Sequence, residues 1–580
     1  VTYLTASWRC AAPAVLMLSA AAYAPIAVAQ PAVLEEPAAV AGGKMTTVVA
    51  AAVSSYDNLM GDISYLAKVS GNPDSVQMLQ GTAGMFTQPV DKKKPWGFLM
   101  QTDGAQFVPL LCLPMKDFDA AMQMLAATGV EPDDLGDGVF EAQVPGQAQS
   151  VYIKQQGPWA LLSNLPDAFG GAPADPGPMF TEMAKGYSIS VKAMVQNIPP
   201  MYRQVAIGSL REGIEAGLEQ EPDESDETFA KRQELAELQL ANIERLFTEF
   251  DTATIGWGVD QSAGKTFLDV VYTVVPGSKL AEQVAVYQNS KTDFAGFIDP
   301  AAAMTMGLAV ENSPELMQSD IEQMKLTLAT VREKAENEID NDPSLPNDEA
   351  REVMKSALGD VMEVVEATVS AGKMDAGAKV MLSDASATIT AGGHVVNPEK
   401  IETALRKLVK LSEGKPDFPG VKWNAATHAG VSFHTMSLPI PADAAPARKL
   451  FGETVSVALG IGESELYLAA GSDYMDAMKS AIDASKASPG KKSDPLMMVM
   501  SLKPFIATAQ AVAPPNPEAA AVLDMLSDAL EDAEGSDRIL MTQQYITDGI
   551  KMRFEMEEGV LKAIGAAATL GVQQRAQGGF

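Results

Sequence analysis

The chain has 580 residues, 47% of them apolar, and a formal net charge of −32 at pH 7. A surface this acidic repels phosphate, which argues against nucleic acid and against an anionic membrane surface as partners. Its two cysteines are Cys10 and Cys112, and only Cys112 follows the N-terminal segment, so stability rests on core burial and not on crosslinks.

Residues 1–29 read as an export signal. Arg9 is their only charge, residues 11–24 are an apolar run, and Ala27-Val28-Ala29 forms an A-x-A cleavage site before Gln30. The run lies between Pro13 and Pro25 and is shorter than the about 20 residues of a membrane span. A mature chain from Gln30 is expected to have no stable membrane span, with residues 30–44, rich in Pro, Ala and Gly, as a flexible leader. Order is expected from Met45.

Leu59, Ile63, Leu66 and Val69 recur at helical spacing, and a short helix capped by Asn72 is expected to follow. From Trp96 the pattern changes to strands. Phe107 to Leu113 is a near-continuous apolar strand ended by Pro114, Phe118 to Leu125 has helical period, and Val139 begins the next strands. A strand-turn-strand-helix order then appears in five places, with helices starting near residues 166, 278, 397, 472 and 560. Ser278, Asn397 and Ser472 are the expected N-caps of the second to fourth of these helices.

In the last copy Ile550, Met552, Phe554 and Met556 alternate with Lys551, Arg553, Glu555 and Glu557. Period two predicts a strand with the apolar set buried and the charged set solvated, preceded by a hairpin turn with positive φ at Asp548-Gly549. Charged helical inserts occupy residues 203–250 and 314–371, and a shorter pair occupies 504–534. The fold class this predicts is α+β, built from repeated β-α(α)-β-β-α units whose antiparallel sheets are covered by long amphipathic helices. The unit boundaries fall at 45–185, 186–300, 301–425, 426–490 and 491–572, with a tail at 573–580.

Several segments invite chemistry and decline it on inspection. Ser262-Ala263-Gly264-Lys265-Thr266 ends like a phosphate-binding loop, but Val259 stands where the first Gly is needed and a strand follows. Residues 338–349 place Glu338 and Glu349 at the first and twelfth positions of a calcium-loop frame, with Pro343 in place of the turn Gly. His394, His428 and His434 are the only histidines; His428 and His434 would share a face if one strand ran through both, yet no acid or Cys stands at ligand spacing. Cys112 reads as a small core residue within VPLLCLP. Met497, Met498, Met500, Met552 and Met556 read as flexible core filling, with lining of an apolar cavity as the alternative. No catalytic, cofactor-binding or metal-binding residues are assigned.

The segments VYIKQQGPWALLSN, GGHVVNPEKIETALRKLV, HAGVSFHTMSLPIP and DGIKMRFEMEEGVLKAIG resemble exported planctomycete-type bacterial proteins of unknown function. The resemblance implies export to a periplasmic or extracellular setting and carries no catalytic assignment. The expected function is non-enzymatic binding of a protein or envelope component through sheet or helix faces. A carrier of an apolar small molecule is the alternative, and a hydrolase without a local motif comes third.

Overall fold

The computed structural model describes residues 45–577 except 75, 77–79, 82–83, 85–86, 144–149, 221–223, 313–315, 344, 346, 384–385, 414–417, 514–515, 532 and 534–535. The expected export signal and leader lie outside the described residues. The first half of the chain runs β1 (Thr46–Val53), α1 (Tyr56–Val69), β2 (Trp96–Thr102), β3 (Phe107–Pro114), α2 (Phe118–Ala127), β4 (Asp133–Gly136), β5 (Val139–Gln143), β6 (Ser150–Gln156) and β7 (Trp159–Ser163). It continues with α3 (Gly177–Met183), β8 (Ile189–Met194), α4 (Pro200–Ala216), α5 (Asp226–Glu249), β9 (Phe250–Asp260), β10 (Lys265–Val274) and α6 (Lys279–Ala285).

The second half runs β11 (Lys291–Thr292), β12 (Met304–Glu311), α7 (Gln318–Asn341), α8 (Asp348–Ser370), β13 (Lys373–Ser383), β14 (Ser386–His394), α9 (Glu399–Ser412), β15 (Lys422–His428) and β16 (Val431–Pro439). Then come α10 (Ala445–Phe451), β17 (Thr454–Ile461), β18 (Glu465–Gly471), α11 (Tyr474–Lys486), β19 (Lys491–Lys492), β20 (Leu496–Ser501), α12 (Leu502–Val512), α13 (Pro517–Glu531), β21 (Arg538–Ile546), β22 (Gly549–Glu557) and α14 (Glu558–Gln577). The last helix therefore covers most of the stretch expected as a tail.

Among the described residues, all strands but β11 and β19 join one antiparallel sheet of 20, so the fold is α+β. Its spatial order is β4-β5-β6-β7-β3-β2-β1-β8-β9-β10-β22-β21-β20-β12-β13-β14-β18-β17-β16-β15. Read inward from each end, the two sets of ten strands follow the same plan. An outer four, β4–β7 or β15–β18, is followed by β3-β2-β1-β8-β9-β10 or by β14-β13-β12-β20-β21-β22. The sets meet at the β10–β22 ladder, where Asp269 stands opposite Arg553. All five expected strand-turn-strand-helix stretches are present, with a 3-10 turn at Pro166–Gly171 as the first helix. The ladders β1–β8, β10–β22, β12–β20 and β14–β18 join strands of different sequence-drawn units.

Ser278 caps α6 as expected, its hydroxyl accepting from the Ala281 amide at 3.1 Å. The caps of α9 and α11 fall one residue later than expected. Pro398 precedes α9 while Asn397 has φ of 58°, and Asp473 with φ of 49° precedes α11 in place of Ser472. Both reversals use a left-handed residue, a role short polar side chains tolerate. Asp548 likewise has φ of 53°, whereas Gly549 does not share the positive φ expected of it. A Cβ at Gly549 would instead overlap the Tyr272 carbonyl oxygen on the neighbouring strand.

The two faces of the sheet differ. On one, Ala50, Ala52, Leu99, Leu110, Cys112 and Leu161 pack beneath Phe180 of α3, and Ala458, Tyr467 and Ala469 pack beneath Met478 and Ile482 of α11. This covered face supplies the main cores. The long helices expected to cover the sheet pack largely on one another: α5 touches α7, with Asn242 donating to Gln323 at 3.1 Å, and α8 meets α9 through Lys407 and Asp360 at 2.5 Å.

Candidate functional site

The other face is apolar and open. Strand register brings one residue from each of 14 neighbouring strands into a row: Trp96, Val53, Ile189, Trp257, Leu268, Phe554, Met541, Met498, Met306, Ala378, Ala391, Leu468, Leu459 and His434. Two positions along each strand, a parallel row passes through Phe98, Val191, Ile255, Val270, Met552, Gln543, Leu496 and Leu308. From β2 to β17 these rows contain no Asp, Glu, Lys or Arg. Several members are more than a third exposed, including Ile255 at 55%, Val191 at 41%, Leu268 at 41% and Phe554 at 40%. Isolated exposed apolar residues are ordinary, whereas Val191 with Ile255 and Leu268 with Phe554 are exposed neighbours on adjacent strands.

Helices also stand on this same face and border the strip, among them α4, whose Tyr202 ring lies 4.7 Å from that of Phe107. Near β7, α2 contributes Phe118 to a cluster with Ile153, Ala160, Leu113 and Leu162. At one end of the central strands, Val284 of α6 packs on Val274 and Ile550. At the far side α9 brings Glu402 to 3.4 Å from His434 Nε2, while Arg406 lies 3.9 Å over the Trp423 ring.

This arrangement departs in part from the burial expected for β22: Ile550 is buried under α6 as expected, but Phe554 is exposed. Phe554 sits on the open face, and Arg553 points to the covered one. There Arg553 donates to both carboxylate oxygens of Asp269, which also accepts from the Tyr187 hydroxyl at 2.9 Å and lies 3.2 Å from Lys551 Nζ. The reason is the strand's place in the sheet: with β10 on one side and β21 on the other, the charged side chains meet a buried acid, not solvent. Gly256 leaves room for the Tyr187 ring, which would stand 2.6 Å from a Cβ. Burial alone would raise the Asp269 carboxyl; Arg553, Lys551 and Tyr187 outweigh it and hold the carboxyl below its ordinary value. Burial, reinforced by Asp269, pushes the Tyr187 phenol up to about 12. A second buried acid, Asp375, accepts from Thr292 Oγ1 and the Asp293 amide, and burial raises it.

The segments singled out in the sequence lie apart. Asp260 Oδ1 accepts from Ser262 and the Ala263 amide, Gly264 has φ of 66°, and Thr266 is already in β10, so residues 262–266 form a hairpin turn. Glu338 belongs to α7, while Asn347 caps α8 through the Ala350 amide; Asp340 pairs with Lys355 at 2.7 Å and Asp348 with Arg351 at 3.0 Å. Residues 344 and 346 of that frame lie outside the described residues. His428 and His434 do not share a strand, because Ala429 and Gly430 turn the chain between β15 and β16. Each has an acid the sequence spacing concealed: His428 Nε2 is 2.7 Å from Asp483, and buried His434 faces Glu402 while its Nδ1 accepts from the Asn424 amide. Cys112 is fully buried, and burial pushes its thiol up to about 12. Met498, Met552 and Met556 lie on the open face; Met552 packs against the Val274, Val284 and Ile550 cluster under α6, as core filling requires.

Sequence reasoning missed the Asp269 cluster, although an acid inside the apolar run FLDVVYTV was its visible signal. Among the described residues, no three His, Cys, Asp or Glu side chains gather as a metal site requires, and no helix is long and apolar enough to cross a membrane. Comparison with family models, curated proteins and solved structures finds no match.

Proposed function

We propose that the chain is an exported, non-enzymatic binding protein whose open sheet face holds an apolar envelope component. The observation that carries this reading is the pair of uncharged rows, one running from β2 to β17 and the other from β2 to β12. Binding fits better than catalysis because three buried acids are each held by hydrogen bonds, Asp269 by Arg553, Asp375 by Thr292 and Asp537 by Ser501. Residues 1–29 and the Ala27-Val28-Ala29 motif support export.

An environment-sensitive apolar dye, anilinonaphthalene sulfonate, tests the surface. It should bind the native chain and lose most of its fluorescence in Leu268→Glu and Phe554→Glu chains with unchanged thermal midpoints. Equal fluorescence in all three would remove the open face as the binding surface. N-terminal sequencing of secreted material tests export, with Gln30 as the expected first residue.

A further inference from the structure

Resting on that reading, we propose that the occupant of the open face is the hydrocarbon chain of a monomeric amphiphile, such as a fatty acid taken up singly. Three observations select it over a protein or a bilayer.

The first is shape. The thirteen strands from β2 to β17, about 4.8 Å apart, make a floor roughly 60 Å long, and the two rows that define it are about 7 Å apart. A long strip without charge suits extended alkyl chains. The second is the border. Because α2, α6 and α9 are seated on this face, they occupy the layer, about 10 Å deep, that the sheet of a second copy would need for face-to-face packing.

The third is charge. The chain carries −32 overall, yet the floor from β2 to β17 has only Gln543 as a polar member of its rows. A charged or hydrogen-bonding group pressed onto it would lose water and find no partner, whereas hydrocarbon loses nothing. The net negative charge also opposes docking on an anionic bilayer. Met306, Met498, Met541 and Met552 supply flexible thioethers along the centre, which adapt to chains of differing length and unsaturation.

The test is electron paramagnetic resonance of doxyl-labelled stearic acid mixed with the full chain below its micellar concentration. An immobilised, saturable spectrum is expected, with binding weakened more than about tenfold by Leu268→Glu or Phe554→Glu, since each places a charge against the alkyl chain. Phe554→Ser, which adds no charge, should weaken it less, and thermal midpoints identify any variant that has failed to fold. Sedimentation and vesicle flotation run alongside. No immobilisation together with a dimer that Phe554→Glu dissociates would assign the floor to a second copy and overturn the proposal while leaving an apolar binding face. Co-flotation with neutral phosphatidylcholine vesicles would overturn it in favour of a bilayer surface. No immobilisation, no dimer and no dye binding would overturn both this proposal and the reading beneath it.

Discussion

Arg553 grips Asp269 with two hydrogen bonds of 2.7 and 2.8 Å across the one ladder that joins the two ten-strand sets, and Asp269 has no solvent exposure. Phe267 stacks against the same guanidinium, with Cζ 3.9 Å from the ring centroid. The pair is therefore both the electrostatic centre of the covered face and the seam of the sheet.

Truncating Arg553 should cost more than truncating the aromatic residue beside it. Arg553→Ala leaves a buried carboxylate short of its main partner and should lose about 3–5 kcal/mol. Phe554→Ala removes a ring that is 40% exposed and should lose less than about 1.5 kcal/mol. Urea unfolding midpoints of the two variants, with slopes compared, check the order; the reverse order would mean that the apolar row is covered.

Two buried acids should respond to pH in opposite senses. Asp269 has a folded pKa below its unfolded one, so its contribution is present above the unfolded value of about 3.9 and disappears as pH falls through the folded value. Asp375 has a raised folded pKa, so its contribution is present in acid and disappears as pH rises through that value. Relative to the parent chain, Asp269→Asn should be weakest at neutral pH and Asp375→Asn weakest in acid. Urea titrations across the acid range measure both.

Gly549→Ala should destabilise by about 1–3 kcal/mol, because the added methyl meets the backbone carbonyl of Tyr272, which the ladder holds in place. Gly157→Ala is the comparison: its φ of 56° is strained for alanine, but the added Cβ meets open space. Thermal midpoints should rank Gly549→Ala below Gly157→Ala.

Brief peroxide treatment should oxidise Met306, Met498, Met541 and Met552 well before Met478, which is fully buried under α11. Peptide mass spectrometry reads each rate. Bound stearic acid should protect the first four and leave the Met478 rate unchanged.

Local pattern made the hairpins and helix pairs legible. Alternation over 550–557, the cap at Ser278 and the Pro-broken inserts each depend on neighbours a few residues away, and each is present. The orientation of the strands was not legible, because it depends on partners far along the chain. Period two assigns Phe554 and Arg553 to opposite faces but cannot say which face receives Asp269, 284 residues from Arg553. The candidate site was hidden for the same reason. Met306, Met498 and Met541 each look like core residues within their own strand, and only the register that sets them side by side makes a floor.

Closure of the seam also sets an order in time. During synthesis β10 emerges with its outer edge unpaired, and β22, which supplies the missing ladder, is translated nearly 300 residues later. Until then the N-terminal ten strands present an exposed row of amides and carbonyls beside an apolar face, a combination that recruits other strands. Pairing at such long range is also intrinsically slow, so docking of β22 on β10 is the step expected to limit folding, and one that a holding chaperone would govern.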